Sequence, residues 1–297
     1  METFFQQLVS GLATGGIYGG LALALVMIYQ ATDVVNYAQG EMAMFSTYLA
    51  WTLINAGLPY WVAFFATLAI AFVGGLVIER VVIRPVENAP ILTIVMVCIG
   101  LLVILNSVAG WIYSYIQKPF PSPFPSKPIM ISLGPGAVVF GAHDLGAIGV
   151  TLVVLAFLYV FFRFTPLGLA MRAAAQNPVS SRLVGIRVGW MLAFGWGLAA
   201  MVGAVGGMMV APIVFLDPNM MSGILIYAFA SATLGGFTSP GGAVLGGLIV
   251  GVVENLVGTY VKFIGTELKL TVALAIILIV LVVKPSGLFG RAHVQRV

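Results

Sequence analysis

The feature that most constrains this chain is the return of long apolar runs from one end of its 297 residues to the other, each closed by glycine, proline or a charge. A hydrocarbon core of roughly 30 Å is crossed by about 20 apolar residues in a helix, and lipid offers no partner for a bare backbone. With 61% hydrophobic and 7% charged residues, the chain has too few charges to clothe a water-soluble surface, which usually needs about 25%. The expectation is an all-α, polytopic transmembrane bundle of about eight or nine spans, broken or re-entrant helices included. Spans are predicted near Gly11–Tyr29, Glu41–Asn55, Tyr60–Ile78, Ile91–Tyr115, Gly146–Phe162, Trp190–Val214, Ser222–Leu234, Ala243–Tyr260 and Leu268–Val283, the shorter ones as half-helices. Met1–Ser10 holds Glu2 and no Lys or Arg, so the first apolar segment reads as retained rather than as a cleaved signal.

Several chemistries drop out. There is no phosphate-binding loop, no dinucleotide turn and no catalytic triad spacing; with one cysteine, Cys98, and two histidines, His143 and His293, there is no His- or Cys-rich metal set. No catalytic residue, metal ligand or resident cofactor is expected, and any energy must come from another chain or an ion gradient. The net charge of +4 sits in particular loops, so it reports orientation rather than nucleic-acid binding. Arg80 and Arg84, then Arg163, Arg172, Arg182 and Arg187, then Lys284, Arg291 and Arg296 all belong on the cytoplasmic side, which puts the N-terminus outside and the C-terminus inside. Residues 116–145, with six prolines between Pro119 and Pro135, then fall outside as a stiff, extended loop.

Small residues four apart (Gly11 and Gly15, Gly16 and Gly20, Gly203 and Gly207, Gly242 and Gly246) let helix backbones approach, within one subunit or at an oligomer contact. The segment 168–189, GLAMRAAAQNPVSSRLVGIRVG, is longer than a connector needs. It reads as two short helices, Leu169–Gln176 and Pro178–Val184. Asn177 caps the second, Pro178 fills its first turn and Gly185 ends it. Ser181 and Arg182 are expected on its polar side, and Val179, Leu183 and Ile186 on its apolar side. The segment is either a docking element for a partner or an interfacial helix resting on lipid headgroups.

Asn36, Tyr37, Gln39, Gly40 and Glu41 form a polar break between two apolar runs. It is either a broken helix lining a pathway or an ordinary cytoplasmic turn. Glu254 and Asn255 are read at the end of a glycine-rich helix, as a buried polar tie, a gate or an outer helix-end acid. Asp217 suits an Asx-type turn. Glu79 with Arg80 reads as an interfacial anchor pair. No clear acid is expected at mid-membrane, which counts against a self-contained secondary transporter.

Four stretches in order, VVNYAQGEM (Val34–Met42), RAAAQNPVSSRLVGI (Arg172–Ile186), GGFTSPGGAVLGGLIVGVVE (Gly235–Glu254) and KPSGLFG (Lys284–Gly290), resemble the permease subunits of branched-chain amino-acid ABC importers, particularly the first of the two paired permeases. The resemblance covers essentially the whole chain. It implies a single permease domain, 1–297, in a bacterial inner membrane. Its partners would be a paralogous second permease, two ATP-binding subunits that bind ATP and Mg, and a periplasmic solute-binding protein. It further implies that Arg172, Ala173, Asn177, Pro178, Ser181, Arg182, Leu183, Gly185 and Ile186 belong to the ATPase-coupling element. On the reading of the residues themselves, Asn36, Tyr37, Gln39, Gly40, Glu41, Glu254 and Asn255 are the candidates along a translocation path. Arg172-Ala173-Ala174 departs from the Glu-Ala-Ala pattern of another importer class. Urea, amides and aromatic acids stand as alternative cargoes. The scarcity of buried charges that could pair a zwitterion places specificity in the delivering protein.

Overall fold

The computed structural model describes residues 2–32, 34–125, 127–133, 136–261, 263 and 268–290. Helix follows helix: α1 (Glu2–Thr32), α2 (Gln39–Asn55), α3 (Tyr60–Ile78), α4 (Ile91–Tyr113), α5 (Ala142–Phe164), α6 (Pro166–Gln176), α7 (Pro178–Leu183), α8 (Val188–Val214), α9 (Met220–Gly235), α10 (Pro240–Tyr260) and α11 (Lys269–Val283). The polytopic helical bundle is as the apolar runs require. Among the described residues, six helices are long and apolar enough to cross a membrane: α1, α3 with its continuation to Val86, α4, α5, α8 and α10. The nine expected spans all exist as helices, but α2, α9 and α11 have only 17, 16 and 15 residues. Arg291 and Arg296, expected in the cytoplasmic C-terminal cluster, lie outside the described residues.

Two features depart from the sequence reading. Residues 116–145 are not an extended loop throughout: Ile129–Leu133 and Gly136–Phe140 form an antiparallel hairpin, β1 and β2, with Ile129 opposite Phe140 and Leu133 opposite Gly136. Branched residues flank a Gly-Pro-Gly stretch there, which is a hairpin pattern the neighbouring prolines obscured. Beyond Ile78, α3 widens into a π-helical turn, Glu79–Ile83, followed by a 3-10 turn, Arg84–Val86.

The chain packs as two compact units. The first comprises Met1–Val26, Phe124–Leu152 and Gly223–Val297. Its seam is antiparallel. The glycines of α1 lie against the backbone of α10, so that a Cβ on Gly11 would come within 2.8 Å of the Val252 Cα, and one on Gly15 equally close to the Gly247 carbonyl oxygen. Gly242 and Gly246 meet α9 at Gly235 and Ser231. After α11 the chain returns, Leu288 and Phe289 donating their N–H groups to the Leu234 and Gly235 carbonyls at 2.7 and 3.1 Å.

The second unit comprises Met27–Pro123 and Val153–Ser222. It is organised on α8, whose Ala193, Trp196, Ala199, Val202 and Met209 are all buried. A helix apolar on every side belongs in the middle of such a bundle. Gly75 of α3 packs on the α8 backbone at Trp196 and Gly197, and Gly203 and Gly207 of α8 receive α2 at Gln39, Ala43 and Thr47. The paired glycines, apart from the open Gly20, thus serve packing within the chain. At the far end of α2, Lys118 and Leu216 exchange two backbone hydrogen bonds of 2.9 Å, and Trp51 Nε1 donates to the Pro119 carbonyl at 3.2 Å. These anchor the start of the proline-rich segment.

Candidate functional site

The segment between α5 and α8 forms the two expected short helices, the first starting at Pro166 rather than at Leu169. Thr165 caps α6 by accepting from Gly168 N–H at 3.0 Å, while Gly168 lets α6 fold back on the Phe161 and Phe162 backbone, where a side chain would not fit. Met171 and Ala174 bury the inner face of α6. Asn177 Oδ1 then accepts from Ser180 N–H at 2.9 Å, Pro178 occupies the first turn of α7, and Gly185 ends it at φ +85°, a left-handed conformation that suits glycine.

The faces of α7 are reversed from expectation. Ser181 is buried, whereas Val179, Leu183 and Val184 project outward, Leu183 being 84% exposed. Arg172, Arg182 and Arg187 are exposed around them, Ala173 and Ile186 half-buried. Ser181 therefore supports the turn from inside, and an outside partner meets leucine and valine framed by arginine. Six residues of helix contain too little sequence to set a facing; Ile186 N–H donating to the Ser181 carbonyl at 2.9 Å helps fix it.

The polar break lies deep. Gln39 Nε2 donates to the Ala199 carbonyl at 2.9 Å and abuts Gly203, while Ala43 and Thr47 meet Gly207. So α2 and α8 run in the same direction. Ala199 stands about 16 Å along α8 from its start. The chain turns inside the bundle, and an ordinary surface turn does not describe it. Asn36 and Gln39 are 0% exposed. Their amides close on each other, Asn36 Nδ2 donating to Gln39 Oε1 at 3.2 Å and Asn36 Oδ1 accepting from Ala38 N–H at 3.0 Å. Gly40 is buried at the start of α2 and Tyr37 reaches the surface. Glu41, only 4% exposed, has its Oε2 without a hydrogen-bond partner among the described residues. It is an acid at depth, where none was expected. The sequence spacing could not reveal it, because the depth at which α2 begins is set by α8.

Replacing Gln39 by leucine removes the donor to the Ala199 carbonyl and the acceptor for the Asn36 amide. Buried interhelical hydrogen bonds in membranes are worth about 1 kcal/mol. The expected loss is of that size, read as a lower thermal midpoint in detergent.

Beside α2 an apolar groove of about 630 Å³ is lined by Met42, Phe45 and Leu49 with Ile70, Val73 and Leu105, among others. Met42 joins the two environments: its Sδ also receives Asn36 Nδ2 at 3.5 Å.

In the first unit, Glu254 is not at a helix end; α10 continues to Tyr260. Its carboxylate accepts from Tyr18 OH at 2.9 Å, and the Tyr18 ring stacks on Tyr227 with centroids 4.8 Å apart. One residue on, Asn255 Nδ2 donates to Thr14 Oγ1 at 3.1 Å. The polar tie between α1 and α10 thus includes Tyr18, Thr14 and Tyr227, which the sequence reading missed; their one signal was hydroxyls inside apolar runs. Changing Tyr18 to phenylalanine deletes one donor to Glu254, and a stability loss of about 1 kcal/mol is expected in the same assay.

Glu79 and Arg80 are not a surface pair. Glu79 is 2% exposed, and Arg80 instead lies over the Trp190 ring, 4.6 Å from its centroid. Arg84 packs on Gly189 at the start of α8. Glu79 continues the buried stripe of Ala63, Thr67, Ala71 and Gly75 at four-residue spacing, the face of α3 that packs on α8. Asp217 forms the expected turn, accepting from Asn219 N–H at 2.7 Å.

Membrane-length helices, a buried helix break and a separately capped two-helix segment between α5 and α8 define a multi-pass helical membrane protein. The chain belongs to the family described as branched-chain amino acid transport system, permease component, whose model matches residues 7–281, across both units. It is similar to the high-affinity branched-chain amino acid transport system permease protein LivH of Salmonella typhimurium, at 30% identity over 99% of this chain and 98% of that one. The corresponding permease protein BraD of Pseudomonas aeruginosa is 29% identical over the same shares. A probable branched-chain amino acid transport permease protein LivH of Methanocaldococcus jannaschii is 27% identical over 91% of this chain and 87% of that one.

Proposed function

We propose that this chain is the permease subunit of an ATP-driven importer of branched-chain amino acids in a bacterial inner membrane. Its relatives' names supply the cargo. The observation that carries the drive is α7: a capped helix with Val179, Leu183 and Val184 outward amid exposed arginines, between two membrane-length helices. The N-terminus lies outside, residues 168–189 lie in the cytoplasm as the coupling element and residues 116–145 lie outside. ATP and Mg are bound by two partner subunits that dock on α7. A second, paralogous permease completes the pathway, and a periplasmic binding protein delivers the solute.

Reconstitution with the partner subunits tests this reading. Labelled leucine should enter vesicles only with ATP, and a cysteine in place of Leu183 should crosslink to the ATP-binding subunit. Ser181, being buried, should not crosslink. Uptake that ignores ATP and follows a proton gradient would identify a self-contained carrier instead. Labelling of the Leu183 cysteine by lipid probes alone would assign α7 to the headgroup region.

A further inference from the structure

We infer that the Glu41 carboxylate is the acceptor for the ammonium group of the amino acid as it passes this chain, with Met42 and the groove beyond it facing the alkyl side chain. The inference rests on the importer reading above. Asn36 and Gln39 are closed on each other, on the Ala38 N–H and on the Ala199 carbonyl. They shape the break but have little left to offer a solute. Glu41 differs. It occupies the first turn of α2, where the helix dipole favours negative charge. Its Oε2 is buried without a partner among the described residues.

A carboxylate at such depth is costly, and such groups usually face a pathway or a counter-ion. An ammonium group carries three donors and a full positive charge, so it satisfies Oε2 directly. The next residue, Met42, lines an apolar groove of about 630 Å³ that would take the alkyl side chain of a branched-chain amino acid. One ion pair without a second contact for the substrate carboxylate holds the solute weakly, as passage requires.

The test uses the reconstituted complex and a hydrophobic carbodiimide, which modifies buried carboxyl groups, with Glu41 followed by peptide mass spectrometry. Millimolar leucine should slow labelling of Glu41 several-fold, while 4-methylpentanoate, with the same alkyl chain and no amine, should not. In parallel, Glu41→Gln should lower leucine uptake about tenfold or more, the scale of a lost charged hydrogen bond, and Glu41→Asp should recover part of it. Labelling unchanged by leucine, equal protection by 4-methylpentanoate, or full uptake by Glu41→Gln would each overturn the inference and leave Glu41 a proton site or a helix-capping acid. If the wild-type complex moves no leucine with ATP, the importer reading falls; if it does and Glu41→Gln matches it, this inference falls alone.

Discussion

Leucine in place of Gly247 is expected to abolish accumulation of folded protein. Gly247 meets the backbone of Gly19 and the carbonyl of Gly15, and its neighbour Gly251 meets Gly15 and Gly11 in the same way. A side chain on Gly247 would strike main chain, not a flexible tip that can swing aside. Lipid supplies no hydrophobic drive to hold displaced helices together, so close backbone approach is itself the source of the attraction. Overpacking a well-filled interior costs about 1 to 3 kcal/mol, and more where backbone must move. Separating α1 from α10 would also pull Tyr18 from Glu254 and Thr14 from Asn255. The contrast is Gly20→Ala: nothing lies within 4 Å of the added Cβ, and helical alanine is favoured over glycine by about 0.5–1 kcal/mol. Fluorescence-detected gel filtration should show Gly247→Leu as aggregate or absent and Gly20→Ala at or above the wild-type level. Equal monodisperse peaks would mean that the α1–α10 seam does not hold the first unit together.

The second large effect belongs to Leu183. At 84% exposure it makes almost no contribution to the fold, so Leu183→Glu should give protein with an unchanged thermal midpoint. If α7 seats in an ATP-binding subunit, the same change places an unpaired carboxylate in a desolvated contact and removes an apolar anchor. Such central contacts cost about 2 kcal/mol or more when lost, and 3 kcal/mol is on the order of a hundredfold in affinity. ATP-dependent leucine uptake should fall by that order, and pull-down of the ATP-binding subunit should fail. Uptake at the wild-type rate by a stably folded Leu183→Glu would remove α7 as the point of drive.

The apolar runs determined a great deal about this protein by themselves. A helix in lipid must satisfy its own backbone, so run length and breakers locate the spans. Local chemistry settled α7 nearly to the residue, because a cap, a first-turn proline and a terminal glycine act within one turn, whereas α6 begins at Pro166 rather than at Leu169. Asp217 was legible for the same reason. The tertiary structure alone decided the depth of the Asn36–Glu41 break, since Gln39 bonds a carbonyl 160 residues away, and the role of Glu254, whose tyrosine partner is 236 residues away. It also put Leu183 rather than Ser181 on the outer face of α7. Burial of a polar group is fixed by what packs over it, and no local pattern of residues records that.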